Sequence, residues 1–280
     1  MINSVQFNWN IEEFDALVRS CEKDDGVRLA LKYLSKDARI LEAGCGVGRV
    51  VRYLQDWGYD IEGLELNASI VKQVIDRFPD MRIRQGNILH IPVSDEYYGG
   101  LLSYGVVEHF TQGPDEALRE MFRVLQPGGV AVVTVPAFNA LRFLKYWIMC
   151  VIDIRKQAWF RKLYHKQPVV MNNDRKVALQ KGYRYHVYPD RGDFFEYRFT
   201  PREFIDSCRR NGFDVIASIP ISHWDGLYQE FGKIMCDFRN WMFHPTFLGK
   251  IMNTAMRFIP LFHNHMYACI LKKPYNDTQN

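Results

Sequence analysis

The chain has 280 residues, 48% of them hydrophobic and 24% charged, which describes a globular protein long enough for one large α/β domain with additions. Its six cysteines (Cys21, Cys45, Cys150, Cys208, Cys236, Cys269) form no C-x-x-C pair, so neither a zinc site nor a disulfide framework is expected. With no signal peptide and no apolar run near the ~20 residues of a membrane span, a cytoplasmic setting is the expectation. Net charge is only +4, but residues 137–191 hold 12 Lys/Arg against 3 Asp/Glu, so one segment is strongly basic and the remainder mildly acidic.

Residues 1–36 look helical and partly amphipathic (Ile11, Phe14, Leu17, Val18 on one stripe, then Val27, Leu29, Leu31, Leu34), with Asn10 as an N-cap ahead of Glu12 and Glu13. They are expected to form a helical lid over a sheet, with Phe7-Asn8-Trp9 leading in. A core over 37–136 follows. Its first strand ends at Ile40, Leu41 and Ala43, breaks at Gly44-Cys45-Gly46-Val47-Gly48, and resumes as a helix with Val50, Val51 and Leu54. Strand, glycine turn and helix together let a nucleotide-like ligand approach main chain, because glycine accepts positive φ and brings no Cβ. A dinucleotide fingerprint wants G-x-G-x-x-G; here the third glycine comes one residue early and Arg49 stands in the fingerprint's glycine position, which disfavours a nicotinamide dehydrogenase. Glu42 aims a carboxylate at the same turn, which suits a ligand bearing an ammonium group better than one bearing two phosphates.

A second strand ends at Glu65, 17 residues after Gly48, where an acid beyond a strand's carboxyl end takes ribose hydroxyls. A third strand over 81–85 precedes Gly86-Asn87-Ile88. A fourth, over 99–104, ends at Tyr104 and leads into Gly105-Val106-Val107-Glu108-His109. After a helix over 115–124 come Leu125-Gln126-Pro127-Gly128-Gly129 and a buried strand over 130–135. Thr200-Pro201-Arg202-Glu203 reads as a capped helix start, with strands over 213–220 and 266–272 after it.

The E-x-G-x-G-x-G pattern at Glu42–Gly48 resembles motif I of class I S-adenosylmethionine (SAM)-dependent methyltransferases. The Glu-His pair and the L-x-P-G-G turn are similar to those of their type-11-like group. That resemblance implies a Rossmann-like seven-stranded sheet of order 3-2-1-4-5-7-6 with the last strand antiparallel, and SAM as cofactor with S-adenosylhomocysteine as product. The cofactor set it implies is Glu42, Gly44, Cys45, Gly46, Gly48, Glu65, Leu66, Asn87, Ile88 and Tyr104. In the resembling families an acid in place of Asn87 accepts from the adenine amino group, and Ile88 would pack on the adenine face. Methyl transfer to a hydroxyl needs a base; His109, His186 and His223 are the candidates.

Two segments exceed a minimal methyltransferase: residues 137–197, and a stretch over 226–262 inside the C-terminal part (198–280) that reads as helical. The apolar, aromatic and basic run 141–164 suits either a lid over the active site or a helix in the interface of an anionic membrane. A distant similarity to ubiquinone-biosynthesis O-methyltransferases, which carry an insertion after the fifth strand that touches membrane, joins the two readings if the acceptor is a lipid. Those enzymes carry a further glutamate where this chain has Gly105, so no metal is expected. No nucleic-acid partner is expected either, since the basic segment holds no RNA-binding module. The expected function is methyl transfer to a small or lipophilic acceptor, O-methylation favoured. The alternative is a catalytically degraded SAM-binding protein acting as a partner or membrane-docking module.

Overall fold

The computed structural model describes residues 11–139, 142–144, 147–148, 158–166, 184–186, 196–257 and 265–275. Seven strands form one sheet: β1 (Ile40–Ala43), β2 (Ile61–Glu65), β3 (Ile83–Gln85), β4 (Tyr98–Tyr104), β5 (Leu125–Pro136), β6 (Asp214–Ile221) and β7 (Met266–Lys272). Their spatial order is 3-2-1-4-5-7-6. The first five pair parallel, and β7 runs antiparallel to both β5 and β6, the arrangement expected. The helices are α1 (Phe14–Ser20), α2 (Asp25–Tyr33), α3 (Arg49–Asp56), α4 (Ala68–Arg77), α5 (Asp115–Val124), α6 (Ala158–Leu163), α7 (Pro201–Arg210), α8 (His223–Phe231) and α9 (Phe247–Arg257).

Alternation along the strands sorts the core into two layers, because successive side chains point to opposite faces. Leu41, Leu101, Ala131 and Leu271 meet Leu118 and Met121 of α5 and Phe204 of α7 on one face. Ile40, Leu102, Val132 and Ile270 meet α1 to α4 through Phe14, Val27, Val51 and Val74 on the other. The amino ends of the helices carry local reasons to start where they do. Asn67 accepts from the backbone of Ser69 and Ile70 at α4, and Thr200 and Glu203 form the expected reciprocal capping box at α7. Asp24 does the same work for α2, accepting from Gly26 N at 2.8 Å and Val27 N at 3.2 Å. The expected N-cap Asn10 and the lead-in Phe7-Asn8-Trp9 lie outside the described residues.

Three expectations change. β5 begins at Leu125 rather than 130, because Gly128 N donates to Lys273 O and Lys273 N to Gly129 O, which extends the pairing through the glycine turn. The Glu108-His109 pair, which in the resembling group opens the next helix, sits in a 3₁₀ turn, Val107–His109. Residues 226–262 are not continuously helical: α8 stops at Gly232 (φ 63°), and Cys236–Arg239 pairs antiparallel with Met242–Pro245. Asn240 and Trp241, at φ 51° and 60°, make the two-residue turn whose twist matches a hairpin. Phe238, Trp241 and Met242 had satisfied a helical period as well, and the turn geometry decides between the two.

β1, β2, β4, β5 and β6 all finish at one edge of the sheet, where β7 begins. The glycine turn, Glu65, Tyr104, Ala137 and Ser222 therefore come together at the same edge, the side on which open α/β sheets bind ligands.

Candidate functional site

Gly44, Gly46 and Gly48 all adopt positive φ (83°, 57° and 74°), a conformation that side-chain-bearing residues rarely take. Two of the three also have packing duties. A Cβ on Gly44 would stand 2.5 Å from Val106, and one on Gly48 would stand 2.2 Å from Ile83. Cys45 turns inward: it is buried, its thiol lies against Gly63, and burial raises its pKa well above the usual value. Its backbone N–H donates to Leu64 O at 3.1 Å, and its thiol bonds the Gly46 carbonyl within the turn at 3.8 Å.

Glu65 closes the turn from the neighbouring strand end. One carboxylate oxygen accepts from Gly46 N and the other from Asn67 N, both at 2.9 Å. Each oxygen keeps a further lone-pair direction for a ligand hydroxyl. Leu66, next in the chain, is an exposed apolar side chain at that edge. Asn87 makes a local turn in which its amide oxygen accepts from Leu89 N at 2.9 Å, and Ile88 is buried in the core.

Glu42 lies under the turn, 4% exposed, with Oε2 buried and lacking a hydrogen-bond partner. Burial raises its carboxyl from the ordinary 4.5 to about 8, with Arg49 pulling the other way. Burial thus holds a proton on Glu42, and a cationic group brought in from the open edge would favour its ionised form and meet the free oxygen. Because the folded pKa exceeds the unfolded one, the stability linked to this proton is fully present below about pH 4.5 and is lost as pH rises through about 8. Each pKa unit of that shift corresponds to roughly 1.4 kcal/mol. Glu42→Gln should therefore gain stability relative to wild type as pH climbs through this window, measured by urea denaturation at successive pH values. Parallel pH profiles would show that Arg49 keeps Glu42 ionised in the folded protein.

Arg49 was expected only to interrupt a dinucleotide fingerprint. It instead bonds Asp24 at 2.5 Å and reaches Ser20 Oγ and Cys21 Sγ at 3.4 Å, fastening the first turn of α3 to the N-terminal helices. Tyr104 adds a second fastening by donating from its hydroxyl to Gly26 O at 2.9 Å. Burial raises its pKa well above the ordinary value. The C-terminal segment closes the ring: Ser222 N donates to Asp25 at 3.0 Å, and Trp241 Nε1 to Glu13 at 2.6 Å. Sequence reading missed Asp24 and Asp25, although Asp-Asp-Gly ahead of an apolar run is an N-cap signal.

The three histidines stand on different elements. His109 lies in the turn after β4, its Nε2 3.9 Å from Glu108 Oε1. His186 lies on a short strand, Arg184–His186, paired antiparallel with Glu196–Arg198 and in register with Glu196. His223 opens α8. The short pair reaches the β4 turn, since Tyr197 donates to Thr111 O at 2.9 Å. Glu108 is a residue whose burial sequence alone did not show. It is 2% exposed, its Oε2 has no hydrogen-bond partner, and burial with Glu196 nearby raises its pKa well above 4.5. No group of three or more His, Cys, Asp or Glu able to hold a metal occurs among the described residues.

A family model described as a methyltransferase domain matches residues 41–133. The chain is 36% identical over 111 residues to a probable S-adenosylmethionine-dependent methyltransferase of Mycolicibacterium smegmatis, covering 39% of this chain and 41% of that one. It is 31% identical over 108 residues to a malonyl-[acyl-carrier protein] O-methyltransferase of Enterobacter lignolyticus, covering 39% and 43%. The match thus spans less than half the length of these curated relatives. Among solved structures, a SAM-dependent methyltransferase from Methanosarcina mazei superposes with a TM-score of 0.54 at 14% identity, over 89% of this chain and 98% of that one. The likeness is one of fold. With the strand order and the glycine turn described above, the matched residues 41–133 have the sequence and fold of a class I S-adenosylmethionine-dependent methyltransferase domain.

Proposed function

We propose that the chain binds SAM at the glycine turn and transfers its methyl group to a small or lipophilic acceptor, with a hydroxyl or carboxyl oxygen favoured. The observation that carries this reading is the pairing of two carboxylates around one turn: Glu65, braced by Gly46 N and Asn67 N, and Glu42, buried beneath with an unpartnered oxygen. Glu65 would take the ribose hydroxyls and Glu42 would offset the amino-acid ammonium. The exposed Leu66 and the buried Ile88 would flank the adenine, and the Asn87 nitrogen, its oxygen being engaged by Leu89 N, would face a ring nitrogen. Gly44, Gly46 and Gly48 shape the turn, Cys45 braces it from beneath through its thiol on the Gly46 carbonyl, and Tyr104 acts by holding α2 over the site.

The cofactor supplies a methyl group already activated on a sulfonium. What remains for the protein is alignment and exclusion of water. An acceptor hydroxyl must also lose its proton, and His109 is the residue we assign to receive it. It comes three residues after Val106, whose side chain packs on Gly44, and its N–H donates to the Val106 carbonyl at 3.1 Å. His186 and His223 lie on the segments beyond the core, where they would orient an acceptor. The oxygen preference is supported by the malonyl-[acyl-carrier protein] O-methyltransferase relatives.

Residues 141–164 are proposed to meet an anionic membrane surface. Trp159 and Leu163 on α6 are exposed beside Arg161 and Lys162, while Arg142 is buried and donates to Ala137 O and His265 O, anchoring the segment's start. No helix among the described residues is long and apolar enough to cross a membrane. The decisive test of function is incubation with methyl-labelled SAM and fractionated extract. Label appearing in a small-molecule or lipid fraction, and lost with Glu65→Ala, is the expected result. SAM binding without label transfer to any fraction would favour a protein that has kept the cofactor and lost catalysis.

A further inference from the structure

Helix α9 is built inside out. Thr246 fixes its start, accepting from Gly249 N at 3.0 Å and donating to Met235 O at 3.1 Å. Gly249 is buried against that same carbonyl so closely that a Cβ there would stand 1.9 Å from it. Asn253, four residues on and so on the same face, is buried too. The inward face is thus a glycine and an asparagine, with Met252 reaching the small cluster of Leu227, Met235 and Cys236. That rotation leaves Phe247 82% exposed and Ile251 50% exposed on the opposite side, with Leu248 beside them and Ile234 close by at 66%. In the sequence Leu248 and Ile251 stand at the helical spacing of an apolar stripe. The stripe exists, and it points outward.

We propose that this face of α9, with Ile234, docks in the interfacial layer of an anionic lipid bilayer. Charge selects that occupant. From Phe238 through Tyr275 the sequence has no Asp or Glu, and the exposed Lys233 and Lys250 flank the apolar side chains. Asp237 stands beside Lys233 and is paired with Arg239, which leaves a cationic surplus around the large apolar groups and suits headgroup phosphates above acyl chains. At 11 residues the helix is about 16 Å long, half the thickness of the hydrocarbon core, so it lies along the surface rather than across it. The position agrees with the other basic segment. A Cβ on Gly226 of α8 would stand 1.7 Å from the His265 ring, and the His265 carbonyl also receives Ala137 N and Arg142 Nη1. One buried node therefore ties both additions to the sheet edge that carries the candidate site. The proposal shares its partner with the reading of 141–164 but rests on its own residues.

The test is co-sedimentation of the full chain with phosphatidylserine-containing and with neutral phosphatidylcholine vesicles, at low and high salt. Wild type should bind the anionic vesicles, more weakly as salt rises. Phe247→Ser with Ile251→Ser should weaken that binding by roughly tenfold or more through lost apolar burial, while S-adenosylhomocysteine affinity stays at the wild-type value. Lys233→Gln with Lys250→Gln should lower the salt sensitivity. If these variants bind like wild type while Arg155, Lys156, Arg161 and Lys162 to Gln releases the protein, α9 is not a docking helix and only the 141–164 reading survives. Absence of wild-type binding to anionic vesicles at low salt overturns both. A dimer that the Phe247/Ile251 variant converts to monomer, with vesicle binding unchanged, would make the face a protein interface and also overturn the proposal.

Discussion

Gly46→Val is expected to abolish S-adenosylhomocysteine binding, a loss beyond roughly 100-fold, in a protein that still folds. Gly46 sits at φ 57°, a region where L-residues pay about 1–2 kcal/mol and β-branched ones more. The valine would therefore drag the turn toward another conformation. Its N–H would then leave Glu65, which it now meets at 2.9 Å, so the carboxylate proposed to take the ribose loses its brace in the same event. Gly46→Ala, with the smaller side chain, should retain weak binding. Thermal melting monitors folding and isothermal titration the affinity. Wild-type affinity in Gly46→Val would place the ligand elsewhere.

Glu65→Ala should weaken the same binding by about 1.5–3 kcal/mol, the size of a lost charge-assisted hydrogen bond, or roughly ten- to 150-fold. The carboxylate organises the site as well as facing it, holding Gly46 N on one side and Asn67 N at the head of α4 on the other. Glu65→Gln keeps one acceptor oxygen and should fall between wild type and alanine. Unchanged affinity in a folded Glu65→Ala variant would make Glu65 a solvated strand end that braces the turn and touches no ligand.

Legibility in the sequence followed the range of the interactions. The sheet order could be expected only through the family resemblance, which rests on local signatures: the glycine run, Glu65, Gly86-Asn87 and the L-x-P-G-G turn. The burial of Glu42 and the alternation of Leu41 with Ile40 follow from a strand covered on both faces. What stayed hidden depends on residues distant in sequence. Arg49 meets Asp24 across 25 positions, and Glu108 is buried partly because Tyr197 ties a short strand pair over its turn. Helical spacing likewise cannot say which way a helix is rotated. In α9 the close approach of Gly249 to the Met235 carbonyl makes that choice, and it sends the apolar stripe outward. The hairpin at 236–245 was missed for a different reason, since Trp241 in a positive-φ position is an unusual turn residue.

The glycine turn between Glu42 and Glu65 is proposed to hold a SAM-type nucleoside rather than a dinucleotide. Isothermal titration of the wild-type chain with S-adenosylhomocysteine, and separately with NAD, tests it most directly. One-site binding of S-adenosylhomocysteine with no heat from NAD is the predicted result. Binding of NAD in its place, or a folded protein silent toward S-adenosylhomocysteine, would contradict it.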